Sequence, residues 1–181
     1  MQASIERYSN PFLIIIGIGI NPESTETDFF LLAVEDDSAI IRPIIHENYI
    51  VIFTDIKLAD NVLNLANLDI INIGPAPQEE TFLIDITQVL YLIDSQNIDN
   101  SATLLNFINV AIDLIKATEY TIPDNYYNLI IGFANYLTLN KEFSSYFQTY
   151  NIARWQVRDA IVWLIGALTS NVKVIDKSFF F

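Results

Sequence analysis

The chain contains no cysteine. Disulfides, zinc–thiolate centres and thiol nucleophiles are excluded with it. Histidine is nearly absent as well: His46 stands alone, so the two-histidine zinc protease motif cannot form. Basic residues are scarce, nine against 22 acidic ones, for a net charge of −13. Phosphate backbones are held by clustered Lys and Arg, so nucleic acid is not an expected partner. Long hydrophobic runs are missing too. The longest, residues 12–20 (FLIIIGIGI) and 160–168 (AIVWLIGAL), fall well short of the roughly 20 residues that a spanning helix needs, and no membrane association is expected. With Arg7 ahead of it, the first run has the outline of a signal-peptide core. Glu6 in the would-be basic region and Asn21-Pro22-Glu23 at the would-be cleavage site argue against that, and a buried strand is expected there. The lack of cysteine is compatible with a cytoplasmic location, which is the expectation.

What the chain does have is apolar mass: 52% hydrophobic residues with 17% charged over 181 residues. Disorder requires the opposite balance. A chain of about 150 residues already hides roughly 68–70% of its unfolded surface, so one core can hold it without metals or crosslinks. The acidic excess keeps such a chain soluble and secondarily suits a basic partner.

Periodicity divides the chain. Residues 12–20 are apolar at every position and rich in isoleucine, the pattern of a strand buried on both faces. After the turn at Asn21-Pro22, residues 28–35 (DFFLLAVE) read as an antiparallel partner. Residues 39–45 return as a third strand, bent or at an edge because Pro43 cannot donate to a ladder. Residues 49–53 (YIVIF) form a fourth. Asp55 is suited to cap a short helix carrying Ala59, Val62, Leu63 and Ala66 on one face. Residues 69–73 and 81–86 are expected as further strands, and 87–93 fits a short helix capped by Thr87. Beyond residue 99 the period is helical. A helix over 102–118 has its polar positions, Asn106, Asn109, Asp113 and Lys116, in one line. Further helices are expected from Thr121-Ile122-Pro123 to about 137, from Asn140 to about 147, and over 152–170 with Asn151 as cap, followed by a closing strand at 172–175. Strands gathered before helices indicate an α+β fold with helices on one face of a sheet. The reading is a single domain over 1–181: strand-rich 12–86, helical 87–170 and a tail over 171–181.

Candidate sites are few. Gly17 and Gly19 sit where a nucleotide loop would begin, but Pro22 occupies the place of the third glycine and no helix follows. On a strand both glycines share a face and leave a bare patch beside Leu13 and Ile15, open to an aromatic ring or to a ligand pocket. His46, beside Glu47, reads as a solvated turn residue, and no G-x-S-x-G elbow surrounds any serine. The turn carboxylates do not match a calcium loop: residues 94–99 (DSQNID) lack the glycine and place Ile98 at a ligand position. Arg154 and Arg158, one helical turn apart, suit an anion or a partner carboxylate, with the protein's own acids as the first expectation. Trp155 and Trp163 read as core residues on one side of the last helix. Phe179, Phe180 and Phe181 end the chain as an apolar cluster that must dock on this subunit or form an interface with another. No metal or cofactor is expected. The composition points first to an interaction or regulatory module without catalytic activity, acting with a protein partner or as a homodimer. A ligand-binding protein or enzyme with a pocket between sheet and helices comes second, and an acidic inhibitor of a basic protein third.

Overall fold

The structure is a computed structural model that describes residues 12–21, 26–35, 40–65, 76–95, 101–118, 120–140 and 144–180. The architecture is α+β, with a seven-stranded mixed sheet and helices concentrated in the second half. The expected strand at 69–73 lies outside the described residues.

The longest strand is the Ile-rich β1 (Phe12–Gly19), paired antiparallel with the central strand β2 (Phe29–Glu35) in a register that sets Ile15 against Leu32. Successive side chains on a strand point to opposite faces, and both faces here are buried. Ile14, Ile16, Leu31 and Ala33 belong to the larger core, whereas Ile15 and Leu32 belong to a second one. Strands β3 (Ile41–Pro43) and β4 (Ile45–His46) replace the single bent strand expected at 39–45. The break falls at Ile44, which donates to the Leu32 carbonyl at 3.0 Å and accepts from the Val51 amide at 3.0 Å. Ile44, following Pro43, makes the last bond to β2 and passes the chain on to β5 (Tyr49–Phe53). The β4–β5 turn places Glu47 and Asn48 at φ of 52° and 68°, the left-handed pair that a two-residue hairpin of matching twist requires.

Two strands join in parallel. β6 (Phe82–Asp85) pairs with β1, and β7 (Val172–Ile175), arriving after the last helix, pairs with β5. The end of the chain is therefore built into the first half of the sheet. α1 (Ala59–Leu63) lies between β5 and β6, and α2 (Ile86–Asp94), α3 (Ser101–Lys116), α4 (Asp124–Leu139), α5 (Ser144–Tyr150) and α6 (Arg154–Thr169) lie between β6 and β7.

Local capping explains several boundaries. Asp55 accepts the Lys57 amide at 3.0 Å and opens a 3-10 turn (Ile56–Leu58) ahead of α1, shorter than the expected helix. α2 is capped by Asp85, not Thr87: the carboxylate accepts from the Gln88 amide at 2.9 Å and from the Thr87 hydroxyl at 2.7 Å. Asn140 closes α4 instead of opening α5; its amide group donates to the Tyr136 carbonyl at 3.1 Å. Asn151 takes a left-handed φ of 51° before α6, and the Gln156 side chain accepts the Ala153 amide at 2.9 Å. As its spacing implied, α3 exposes Asn106, Asn109 and Lys116 along one line. Half-buried Asp113 accepts the Ile41 amide at 3.2 Å, tying the helix to β3.

Helices α2 and α3 meet one face of the sheet, and α4 and α6 pack against α3 and each other; Phe107, Ile108, Phe133, Ile161 and Leu164 join Ile14 and Ile16 of β1 in one continuous core. The opposite face is not bare. Leu58, Ala59, Val62 and Ala76 cover Ile15, Leu32, Val51, Phe53 and Ile175, and Phe180 packs at their edge.

Candidate functional site

The residues singled out in the sequence occupy four separate places. Above Gly17 lie the Thr27 hydroxyl and the Glu80 carboxylate, hydrogen-bonded to each other at 2.6 Å. A methyl at Gly17 would overlap both of them, so this polar pair, not an aromatic ring, covers the bare strand. Gly19 faces Asp85, whose nearest side-chain atom would be 3.8 Å from an added methyl. On the other side of β6, Leu83, Ile84, Asp85, Gln88, Val89, Thr103, Asn106 and Phe107 line a cleft of about 240 Å³ between sheet and helices.

Arg154 and Arg158 both bridge α6 to the end of α2. Arg158 Nε donates to Asp94 Oδ1 at 2.7 Å, and Arg154 donates to the Ser95 carbonyl at 2.6 Å while its guanidinium stands 5.5 Å from the Phe147 ring centre. The carbonyl end of a helix carries partial negative charge, so these cations serve the fold. The Asp94 carboxylate raises the already high pKa of Arg158.

The tail docks on its own subunit. Asp176 accepts the Ser178 amide at 2.8 Å, starting the 3-10 turn Lys177–Phe180. Phe180 joins the second core, and Phe179 lies edge-on to His46 at 6.1 Å, with Lys173 Nζ 5.1 Å from its ring centre. Lys173 also pairs with Glu47, and Lys177 pairs with Asp55 at 3.0 Å. These contacts lower the Glu47 pKa, chiefly through the Lys173 hydrogen bond, and that of Asp55, chiefly through the Lys57 amide. His46 is thus half covered by Phe179 rather than solvated in a turn. Phe181 lies outside the described residues.

Two arrangements were not foreseen. The first is the outer face of α6. Residues eight apart on a helix differ by about 80° around its axis, and that offset separates the tryptophans. Trp163 packs on Tyr126 with ring centres 5.8 Å apart, whereas Trp155 is 63% exposed. The expectation of a shared core position fails for Trp155. It heads an exposed stripe of Trp155, Asp159, Val162, Gly166 and Thr169, spaced four, three, four and three. Nothing lies within 4 Å of where a Gly166 side chain would begin. The 4-3-4-3 spacing was legible; its outward direction was not.

The second is a pocket of about 310 Å³ between α4 and α5, lined by Gly132, Asn135, Tyr136, Leu139, Asn140, Tyr146 and Tyr150. Tyr146 is only 3% exposed and packs between Tyr136 (ring centres 5.3 Å apart), Tyr150 (5.0 Å) and Phe133 (5.0 Å). Burial, with Tyr150 adding to it, raises the Tyr146 pKa above the usual tyrosine value. Gly132 in mid-helix was the one available signal, since glycine there costs about 1 kcal/mol against alanine.

Among the described residues no group of three His, Asp or Glu side chains is placed to hold a metal ion, and no helix is long and apolar enough to cross a membrane. No protein-family model, curated protein or solved structure matches this chain.

Proposed function

We propose that this chain is a non-catalytic interaction module that works as a homodimer through the outer face of α6. The observation that carries the reading is the exposed stripe Trp155–Asp159–Val162–Gly166–Thr169. Its spacing is that of a helix-pairing seam, and it combines a large aromatic ring near one end with an open glycine near the other. Two such helices running antiparallel about Val162 set each Trp155 over the Gly166–Thr169 end of the other copy, a ring against a gap.

Charge agrees with a second copy as the occupant. The chain carries −13 overall, but α6 holds only two arginines and one aspartate, and Arg158 is paired with Asp94. The seam carries a single carboxylate, Asp159, from each copy, a small repulsion for so acidic a chain. Tyr91, on α2 one turn before Asp94, is exposed as well. Tryptophan, tyrosine and arginine are the residues that dominate binding energy in interfaces. A 16-residue helix is about 24 Å long, so the pair covers less than the roughly 1,600 Å² of a standard interface. The dimer is accordingly weak, dissociating in the micromolar range.

Sedimentation equilibrium across a concentration series tests this. The expected result is a reversible monomer–dimer transition that Trp155→Ala and Gly166→Leu each shift at least tenfold toward monomer, while the monomer's thermal midpoint is unchanged in Trp155→Ala and raised in Gly166→Leu, which replaces a helical glycine. A monomer at every concentration, or a dimer indifferent to both substitutions, overturns the proposal.

A further inference from the structure

We infer that Tyr136, Tyr146 and Tyr150 form an oxidation site, at which a one-electron oxidant closes a dityrosine bond between Tyr146 and Tyr150. Three observations carry this, none of them involving the α6 seam.

The first is contact. Tyr146 and Tyr150 lie one turn apart on α5, with ring centres 5.0 Å apart and planes inclined at 44°. Tyr136 of α4 completes a triangle, 5.3 Å from Tyr146 and 6.0 Å from Tyr150. The chain has nine tyrosines, and among the described residues only these three are in ring contact with one another. Two phenoxyl radicals in solution must find each other by diffusion; holding the rings together turns their coupling into an internal step. Directly joined rings are twisted rather than perpendicular. The Tyr146–Tyr150 pair is tilted and the closest of the three, whereas Tyr136 and Tyr150 meet at 89°.

The second is graded exposure. Tyr150 is 56% exposed and Tyr146 only 3%, so a soluble oxidant takes its first electron from Tyr150. Tyr146 refills that vacancy across the ring contact, and its proton leaves with the electron. A second oxidation at Tyr150 then sets two radicals side by side. They join through the ring carbons next to the hydroxyls, and each of those carbons gives up its hydrogen as both phenols are restored. In sum, two aromatic C–H bonds break, one C–C bond forms, the oxidant accepts two electrons and water accepts two protons.

The third is the scarcity of sulfur. Thiols and thioethers are the side chains that ordinarily intercept oxidants. This chain has no cysteine and one methionine, Met1, so oxidising equivalents fall to its aromatic rings. Tyr91, Tyr120 and Trp155 are exposed as well, but among the described residues none of them has a tyrosine ring against it with which to couple.

Photogenerated ruthenium(III) tris-bipyridine, with persulfate as the final electron acceptor, is the oxidant to apply to the full chain at low micromolar concentration. Trypsin cuts after Lys116, Lys141 and Arg154, leaving Tyr136 on residues 117–141 and both Tyr146 and Tyr150 on residues 142–154. Mass spectrometry should show the 142–154 peptide lighter by two hydrogens, with dityrosine fluorescence in the intact chain. Tyr146→Phe and Tyr150→Phe should each lower that fluorescence about tenfold, because the positioned pair is gone. Tyr136→Phe should keep the bond. Each variant retains its ring, and near-UV circular dichroism before oxidation checks that the packing is intact. No dityrosine in the intact chain, equal fluorescence in Tyr146→Phe, a bond that joins 117–141 to 142–154, or one that joins two chains overturns the inference.

Discussion

Replacing Ile175 by alanine tests whether the chain's end is an integral part of the sheet. Ile175 has no exposed surface and sits in the second core with Val51, Phe53 and Leu58, while its carbonyl accepts the Thr54 amide at 3.3 Å. Its neighbour Val174 points to the other face and is 51% exposed. Ile→Ala removes three carbons, and at about 0.8 kcal/mol for each buried CH₂ the transfer loss is ~2.4 kcal/mol. The cavity left behind raises the cost toward the middle of the measured range of about 2–5 kcal/mol, so ~3 kcal/mol is expected. Val174→Ala removes two carbons already half in water and should cost under about 1 kcal/mol. Both substitutions exchange a β-branched residue for alanine at adjacent strand positions. Subtracting one from the other therefore cancels strand preference to first order and leaves the docking of β7. Urea unfolding followed by circular dichroism reads the difference; with a slope of about 2 kcal/mol per molar, Ile175→Ala should lower the midpoint by ~1.5 M. A loss under about 1 kcal/mol, or equal losses in the two variants, would refute the parallel β5–β7 pairing and with it the link from the last helix back to the sheet.

The remaining expectations concern pH. Glu47, chiefly through Lys173, Asp55, chiefly through the Lys57 amide and then through Lys177, and Asp176, chiefly through Ser178, all have lowered pKa values. Their stabilisation is present above the ordinary carboxylate range near pH 4 and is lost as pH falls through their depressed values. Below pH 4 the ring resonances of Phe179 and Phe180 should lose dispersion before those of Phe107 and Phe133; simultaneous loss would show that these pairs do not hold the tail. At the alkaline end Tyr146 works in the opposite direction, because burial favours its neutral form. The stability it contributes is complete below the unfolded tyrosine value near pH 10 and declines as pH rises through its raised folded value. Tyr146→Phe should flatten that decline between pH 10 and 12 in unfolding titrations, and an unchanged slope would contradict a buried phenol.

Charge along α6 was only half visible beforehand. A net charge of −13 is a count, but neutrality at one location is an outcome of packing. For Arg158 the sequence offers the protein's own acids as partners without naming one, and α2 brings Asp94 to 2.7 Å. The pocket lining came from residues that looked ordinary one by one.

Periodicity alone determined much of this fold. The all-apolar run at 12–20 requires cover on both faces, and the line of Asn106, Asn109, Asp113 and Lys116 leaves the rest of α3 to the core. These patterns are local because side-chain direction repeats every two residues on a strand and every 3.6 on a helix. Cap identity was less legible, since Asp85, Thr87, Asn140 and Asn151 all have the chemistry to cap, and only the chain's path decides which of them meets a free amide. Tertiary structure alone decided that β7 returns to β5, that Thr27 and Glu80 meet above Gly17 across a separation of 53 residues, and that Phe180 closes the second core. It also turned Trp155 outward while its helix-mate Trp163 turned in. Such contacts join residues far apart in the chain, and no local period encodes them; they depend on which surfaces remain uncovered after the local elements have formed.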